Sequence, residues 1–159
     1  MSDTHQLPRA VRAAAMLSRY FERCCLEIGL SLPQYRLLLF VRRGPQRAAD
    51  LATQAAVRRP TLTALVDGLE KEGLLIRCAV EGDRRGIRLE LTPKGSEMLD
   101  RAEDHLVKLL DHMLEHGDRT RVLDGLEELM GVLERFYRNV IEPAGAKLQP
   151  PPETTPEKC

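Results

Sequence analysis

Between two stretches of helical periodicity, this 159-residue chain turns in one place to strand character, on either side of a short basic turn. Ile87-Arg-Leu-Glu-Leu91 alternates apolar and charged residues strictly, as a half-exposed strand does. Leu74-Leu-Ile-Arg-Cys-Ala-Val80 precedes it as a second strand, and Glu81-Gly-Asp-Arg-Arg-Gly86 supplies the turn. Two strands alone are marginal in water, so this hairpin must lie against the helices beside it. The chain is thereby restricted to a mostly α architecture with a small β-hairpin.

The helices announce themselves by apolar spacing and by stop signals. From about Arg9 to Ile28 the apolar positions are Val11, Ala14, Ala15, Leu17, Phe21, Cys25 and Ile28, and Gly29 fits a left-handed stop. Ser31-Leu-Pro-Gln34 is a capping box. The helix behind it, through Tyr35, Leu37, Leu38, Leu39, Phe40 and Val41, is apolar nearly all round and predicts the central buried helix. Gly44-Pro45 ends it. A short helix from Ala48 to Gln54 follows, then a longer one from Pro60 to Glu72 with one apolar stripe at Leu62, Leu65, Val66 and Leu69. After the hairpin, Thr92 caps a helix from Pro93 to about Glu115. The last helix runs from about Arg119 to Ile141 behind Asp118. Beyond Pro143 a Pro-rich tail reads as extended or disordered.

With 43 % apolar and 30 % charged residues the chain reads as soluble and globular. No apolar run approaches the roughly 18 residues of a membrane span, and Met1 to Pro8 lacks the pattern of a signal peptide, so a cytoplasmic protein is expected. Cys24, Cys25, Cys78 and Cys159 have no zinc-finger spacing and are expected to be reduced, partly buried thiols, with redox sensing by Cys24, Cys25 or Cys78 left open. Gly-rich phosphate loops, nucleophile elbows and HExxH motifs are missing, which argues against an enzyme, and no cofactor is expected.

The net charge is zero, but it is unevenly spread. From Arg42 to Lys94 there are about 11 basic against 7 acidic side chains, and from Gly95 to Glu142 about 6 against 12. A phosphate-facing module joined to an acidic self-associating scaffold has this distribution. The order short helix, turn, second helix, hairpin is also the layout of a winged helix-turn-helix. In that layout the second helix enters the major groove by its first turns. Here those turns are Val57-Arg-Arg-Pro-Thr-Leu-Thr-Ala64, which offer two guanidiniums (Arg58, Arg59) and two hydroxyls (Thr61, Thr63) to phosphates or base edges. The hairpin tip, Asp83-Arg84-Arg85, can reach the neighbouring minor groove or backbone.

At these residues the sequence resembles the MarR family of bacterial regulators. Asp50-Leu-Ala52, the run from Thr61 to Leu74, and above all Asp83 and Arg85 followed by Leu91, Thr92 and Gly95 (D-x-R, then L-T-x-x-G) carry the resemblance, which extends from about Val11 to Ile141. Ala56 stands where that family usually has Gly, and Arg58 where it often has a capping Asp or Ser. The resemblance implies a homodimer on pseudo-palindromic double-stranded DNA, usually a repressor released by a small ligand or by oxidation. It implies Arg58, Arg59, Thr61 and Thr63 as contacts of the recognition helix, Arg84 and Arg85 as wing contacts, and Asp83 as orienting an arginine.

It also divides the chain into residues 1–30 (a dimerisation helix), 31–95 (the winged helix-turn-helix lobe), 96–142 (C-terminal dimerisation helices) and 143–159 (the tail). The last helix carries more apolar surface than one small domain can cover, so a second copy is expected against it and the first helix. By position in the family's cleft, Arg19, Arg23, Tyr35 and Arg36 are candidates for holding an effector, possibly an anionic aromatic one. His112 and His116 stand one helical turn apart, as zinc ligands do, yet they lack an evident third partner and read as a solvated face, so no metal is expected. A redox- or zinc-responsive regulator of the same fold, and a winged-helix interaction module without DNA binding, are the alternatives.

Overall fold

The computed structural model describes residues 3–44, 46–47, 51, 58–80 and 83–141. The chain forms α1 (Asp3–Glu27), α2 (Leu32–Arg42), β1 (Gln46–Arg47), α3 (Arg59–Lys71), β2 (Leu75–Val80), β3 (Asp83–Leu91), α4 (Pro93–Leu114) and α5 (Arg119–Phe136), closed by a π-helical turn, Tyr137–Ile141. The predicted short helix of residues 48–54 and the turn at Ala56 lie largely outside the described residues. Its Leu51 is fully buried in the core. The tail beyond residue 141 is outside them as well.

Local signals set the ends of the helices. Gly29 adopts φ +86°, and Leu30 N–H reaches back to the carbonyl of Cys25 at 3.0 Å, so α1 stops in a left-handed cap. The capping box forms as predicted: Gln34 N–H donates to Ser31 Oγ at 3.3 Å and Ser31 N–H donates to Gln34 Oε1 at 2.8 Å. Gly73, at φ +71°, ends α3 in the same left-handed way, with Leu74 N–H on the carbonyl of Leu69 at 2.9 Å. Thr92 Oγ1 accepts from Gly95 N–H at 2.9 Å at the head of α4, and Asp118 Oδ1 accepts from Arg121 N–H at 3.1 Å at the head of α5.

Three features depart from the sequence reading. Helix α1 starts at Asp3, ahead of the predicted Arg9, because Pro8 near its start removes only one N–H and the helix continues through it. The sheet has three strands in the order β1-β3-β2, all antiparallel, because the two residues of β1 cover the outer edge of β3. Strand β3 begins at Asp83 and takes in Arg84 and Arg85, which the sequence placed in the turn. The register explains this: Ala79 faces Ile87 whereas Val80 faces Asp83, so Arg84, Arg85 and Gly86 form a bulge on β3.

The core is one cluster built from every helix except α5. Leu37, Leu38 and Val41 of α2 meet Leu62, Val66 and Leu69 of α3, Leu74, Leu75 and Leu89 of the sheet region, and Leu99, Ala102 and Leu106 of α4. Helix α2 is therefore the central helix its composition predicted. No polar or charged residue is buried among the described residues. Helix α5 has no buried residue, and Leu129, Met130, Leu133 and Phe136 are all about half exposed. Helix α1 likewise exposes Leu7, Val11 and Met16. No single helix is long and apolar enough to cross a membrane among the described residues.

Candidate nucleic-acid interface

Arg58 is the N-cap of α3, with extended backbone at φ −67° and ψ 146°, and makes no side-chain cap. Pro60 occupies the first turn without needing a donor partner. The N–H groups at the start of α3 thus face outward without a side-chain acceptor at the cap, and the positive end of the helix dipole lies there. Arg58, Arg59, Thr61 and Thr63 are all exposed. Neither guanidinium has an acid partner among the described residues, in contrast to Arg42, Arg77, Arg88 and Arg119, each of which is ion-paired. Thr63 Oγ1 donates to the carbonyl of Arg59 at 3.0 Å, which leaves that hydroxyl only an accepting role toward a partner. Asp83, Arg84 and Arg85 lie on the bulged start of β3, at the wing end of the hairpin.

The recognition face is held to the rest of the chain by the residues of the L-T-x-x-G signature. Thr92 N–H donates to the carbonyl of Leu74 at 3.2 Å, Thr92 Oγ1 donates to that of Gly73 at 2.7 Å, and Lys94 Nζ donates to that of Glu72 at 2.6 Å. The carbonyls that follow α3, from its C-cap Glu72 to Leu74, are thus held by Thr92 and Lys94 at the head of α4. A Cβ at Gly95 would stand 2.0 Å from the oxygen of Leu74, so only glycine permits this approach. The signature is a joint, and Lys94, which looks basic and available in the sequence, is occupied.

Of the proposed effector residues, Arg19, Arg23 and Arg36 are exposed and have no ion pair with a described residue, whereas Tyr35 is half-buried. Burial, then the nearby Glu103 and Cys25, push the Tyr35 phenol up, with Arg42 acting in the opposite direction. The surroundings of Tyr35 therefore include Arg42 and Glu103, which the sequence reading missed. Arg42 is two helical turns beyond Tyr35 and on the same face, a spacing that could have signalled it. Its guanidinium is paired with both Asp100 and Glu103 of α4.

Cys24 and Cys25 are free and buried. Burial, reinforced by Cys24 and Glu22, pushes the Cys25 thiol up to about 11, which disfavours the thiolate that oxidant sensing requires. Cys78, in β2, is buried as well. The His112 and His116 rings meet edge to face at 5.7 Å, and His112 Nδ1 lies 3.2 Å from Glu115 Oε2. Among the described residues no three His, Cys, Asp or Glu side chains gather as a metal site would require.

A helix with an open, cationic first turn beside a bulged hairpin, both locked to a long helix, defines a winged-helix regulator of transcription. The family model described as MarR family matches residues 28–86. The chain is 30 % identical to the homoprotocatechuate degradative operon repressor of Escherichia coli over 126 residues, covering 79 % of this chain and 81 % of that one. It belongs to the MarR family. Among solved structures it is similar to the transcriptional repressor CouR bound to a 23-mer DNA duplex (TM-score 0.69, 28 % identity, 79 % of this chain and 89 % of that one). It is also similar to NadR in complex with 4-hydroxyphenylacetate (TM-score 0.62, 27 % identity, 78 % of this chain and 88 % of that one).

Proposed function

We propose that this regulator is a cytoplasmic homodimeric repressor that grips a pseudo-palindromic DNA site with the first turns of α3 and the wing. The observation that carries this reading is the pair of exposed guanidiniums, Arg58 and Arg59, without an acid partner among the described residues, at a helix start with no side-chain cap. Phosphate oxygens satisfy open helix N–H groups and arginines together, and Thr61 lies one turn in to meet a base edge or a second phosphate. Arg84 and Arg85 on the wing, with Asp83 orienting one of them, extend the contact to the flanking groove. Two copies joined through α1, α4 and α5 would cover the apolar residues that one chain leaves exposed and set the recognition helices about 34 Å apart.

The effector in this reading is a small aromatic carboxylate, entering beside Tyr35 with Arg19, Arg23 or Arg36 as the counter-charge. Two relatives support that chemistry: one is named for a homoprotocatechuate degradative operon and the other is complexed with 4-hydroxyphenylacetate. The test is a mobility-shift titration on the DNA upstream of the protein's own reading frame, over a range of salt, with and without hydroxylated phenylacetates. Binding that weakens with salt and is released by such an acid is expected. Absence of binding to any duplex at low salt would overturn the proposal.

A further inference from the structure

The arginines of the DNA-binding lobe divide into two kinds. Arg58 and Arg59 have no acid partner among the described residues, whereas Arg77, in β2, is enclosed by two carboxylates of α3. Its two terminal nitrogens pair separately with Asp67 and Glu70, which stand three residues apart on one face of the helix. Both bonds are charge-assisted, and the planar fork of a guanidinium fixes their direction as well as their length. The side chain is about one-third exposed, so the clasp closes over the edge of the helix–sheet contact and not within the core.

We infer that Arg77 is a positioning residue that fixes the wing against the recognition helix, and that it does not itself contact DNA. The inference rests on the DNA-binding reading above. Charge argues against a phosphate contact: Asp67, Glu70 and Arg77 together carry one net negative charge, which repels a phosphate. Position argues for the fixing role. Along α3 the clasp lies about 12 to 16 Å from Arg59 at 1.5 Å per residue. Along β2 it lies about 10 Å from Val80, where the hairpin turns, at 3.3 Å per residue. It therefore sits midway between the two ends that would meet DNA. The other side-chain contacts joining α3 to the sheet, Leu62, Val66 and Leu69 against Leu74, Leu75 and Leu89, are apolar and have no preferred direction. The bond from Leu74 N–H to the Leu69 carbonyl holds the start of β2. Of the side-chain contacts the clasp is the directional one that resists a swing of the wing end of β2 across α3, where a displacement of about 2 Å would exceed the tolerance of a hydrogen bond.

The test compares wild type with Arg77→Met, Arg77→Lys, Glu70→Gln and the exchange Arg77→Glu with Glu70→Arg. Each is titrated against a labelled duplex from upstream of the reading frame at several salt concentrations, and hydroxyl-radical footprints and Tm are recorded. Arg77→Met is expected to weaken binding about tenfold. Its salt dependence should stay as steep as wild type, and protection should fade at the wing-side flanks while the centre of each half-site stays protected. Arg77→Lys and Glu70→Gln should fall between, and the exchange should restore affinity to within about threefold of wild type. A residue that merely stabilised the lobe would lower Tm and leave the footprint of the bound fraction whole, which would overturn the inference. A salt slope shallower by about 0.9 would overturn it too, because that is the signature of one phosphate fewer engaged by the protein. Unchanged affinity in Arg77→Met, or an exchange that restores nothing, would also refute it. Failure of wild type to bind any duplex would instead overturn the DNA-binding reading, and this inference with it.

Discussion

Replacing Gly95 by Ala sets two effects of opposite sign against each other. Gly95 lies in the first turn of α4, and alanine is the better helix former by up to about 1 kcal/mol. The added Cβ, however, would stand 2.0 Å from Leu74 O, 2.9 Å from Leu74 C and 3.2 Å from Leu91 Cδ2. An ordinary carbon–oxygen approach is about 3.3 Å, so the head of α4 and the start of β2 must part by roughly 1.3 Å. That separation strains or breaks the bonds from Thr92 to the carbonyls of Leu74 and Gly73, each worth about 1 kcal/mol net. Overpacking adds about 1 to 3 kcal/mol. The clash wins, for a net loss of about 2 to 4 kcal/mol. For a chain of this length the loss corresponds to a Tm lower by roughly 5 to 15 °C. Thermal unfolding at equal protein concentration checks this, and Gly68→Ala is the matched control. A Cβ at Gly68 meets only Gln34 Nε2 at 3.6 Å, an ordinary contact. Gly68→Ala in the interior of α3 should therefore raise stability by about 0.5 to 1 kcal/mol. A Gly95→Ala protein as stable as wild type would refute the claim that this contact admits no side chain.

The double variant Arg58→Ala with Arg59→Ala should weaken DNA binding and flatten its salt dependence by about 0.9 for each phosphate the protein no longer engages. Its Tm should stay close to wild type, since both side chains are exposed and have no acid partner among the described residues, and a steep fall in Tm would contradict their placement. Leu133→Glu on α5 should dissociate a dimer: two copies of a leucine lose about 3 to 6 kcal/mol, or roughly 10² to 10⁴ in dissociation constant. Sedimentation equilibrium reads this directly, and an unchanged mass would place the interface elsewhere. Because the folded state holds the Cys25 proton more tightly, its contribution to stability is whole below pH 9.0, the ordinary thiol value, and is lost as pH rises toward about 11. Urea unfolding across that window should show a shallower decline for Cys25→Ala than for wild type. A thiol reagent at pH 8 should label Cys25 far more slowly than a small free thiol, and rapid labelling would contradict its burial.

The helices were legible because their ends are written in neighbouring residues. Ser31 with Gln34, Thr92 ahead of Pro93, and Asp118 ahead of Arg119 each act within three or four positions of themselves. The exposed pair Arg58 and Arg59 was legible for the same reason, since it follows from where α3 begins. What escaped was set by distant parts of the chain. β1 is two residues long, too short for any period to show, and exists because β3 offers it an edge. The bulge at Arg84 to Gly86 depends on the register between β2 and β3. Arg42 and Arg77 were read only as positive charge, since the carboxylates that occupy them arrive from α4 and α3. Gly95 was legible as part of a signature, but the reason for a glycine there is not local propensity. It is the carbonyl oxygen of Leu74, brought against it from the other side of the hairpin.

The contact between Gly95 and Leu74 has a kinematic consequence. Two backbones already touching leave no play between them, so α3 cannot swing on α4 at this point. The end of α3 and the head of α4 must turn as one piece. With α4 about 33 Å long, a tilt of only about 5° pivoted at its far end carries the Gly95 end through about 3 Å. The whole of that travel is delivered to α3, with none absorbed at the coupling. In the repressor proposed above, a ligand acting far from the DNA would therefore not need to reshape the reading head to dislodge it. It would have only to lean on the shaft.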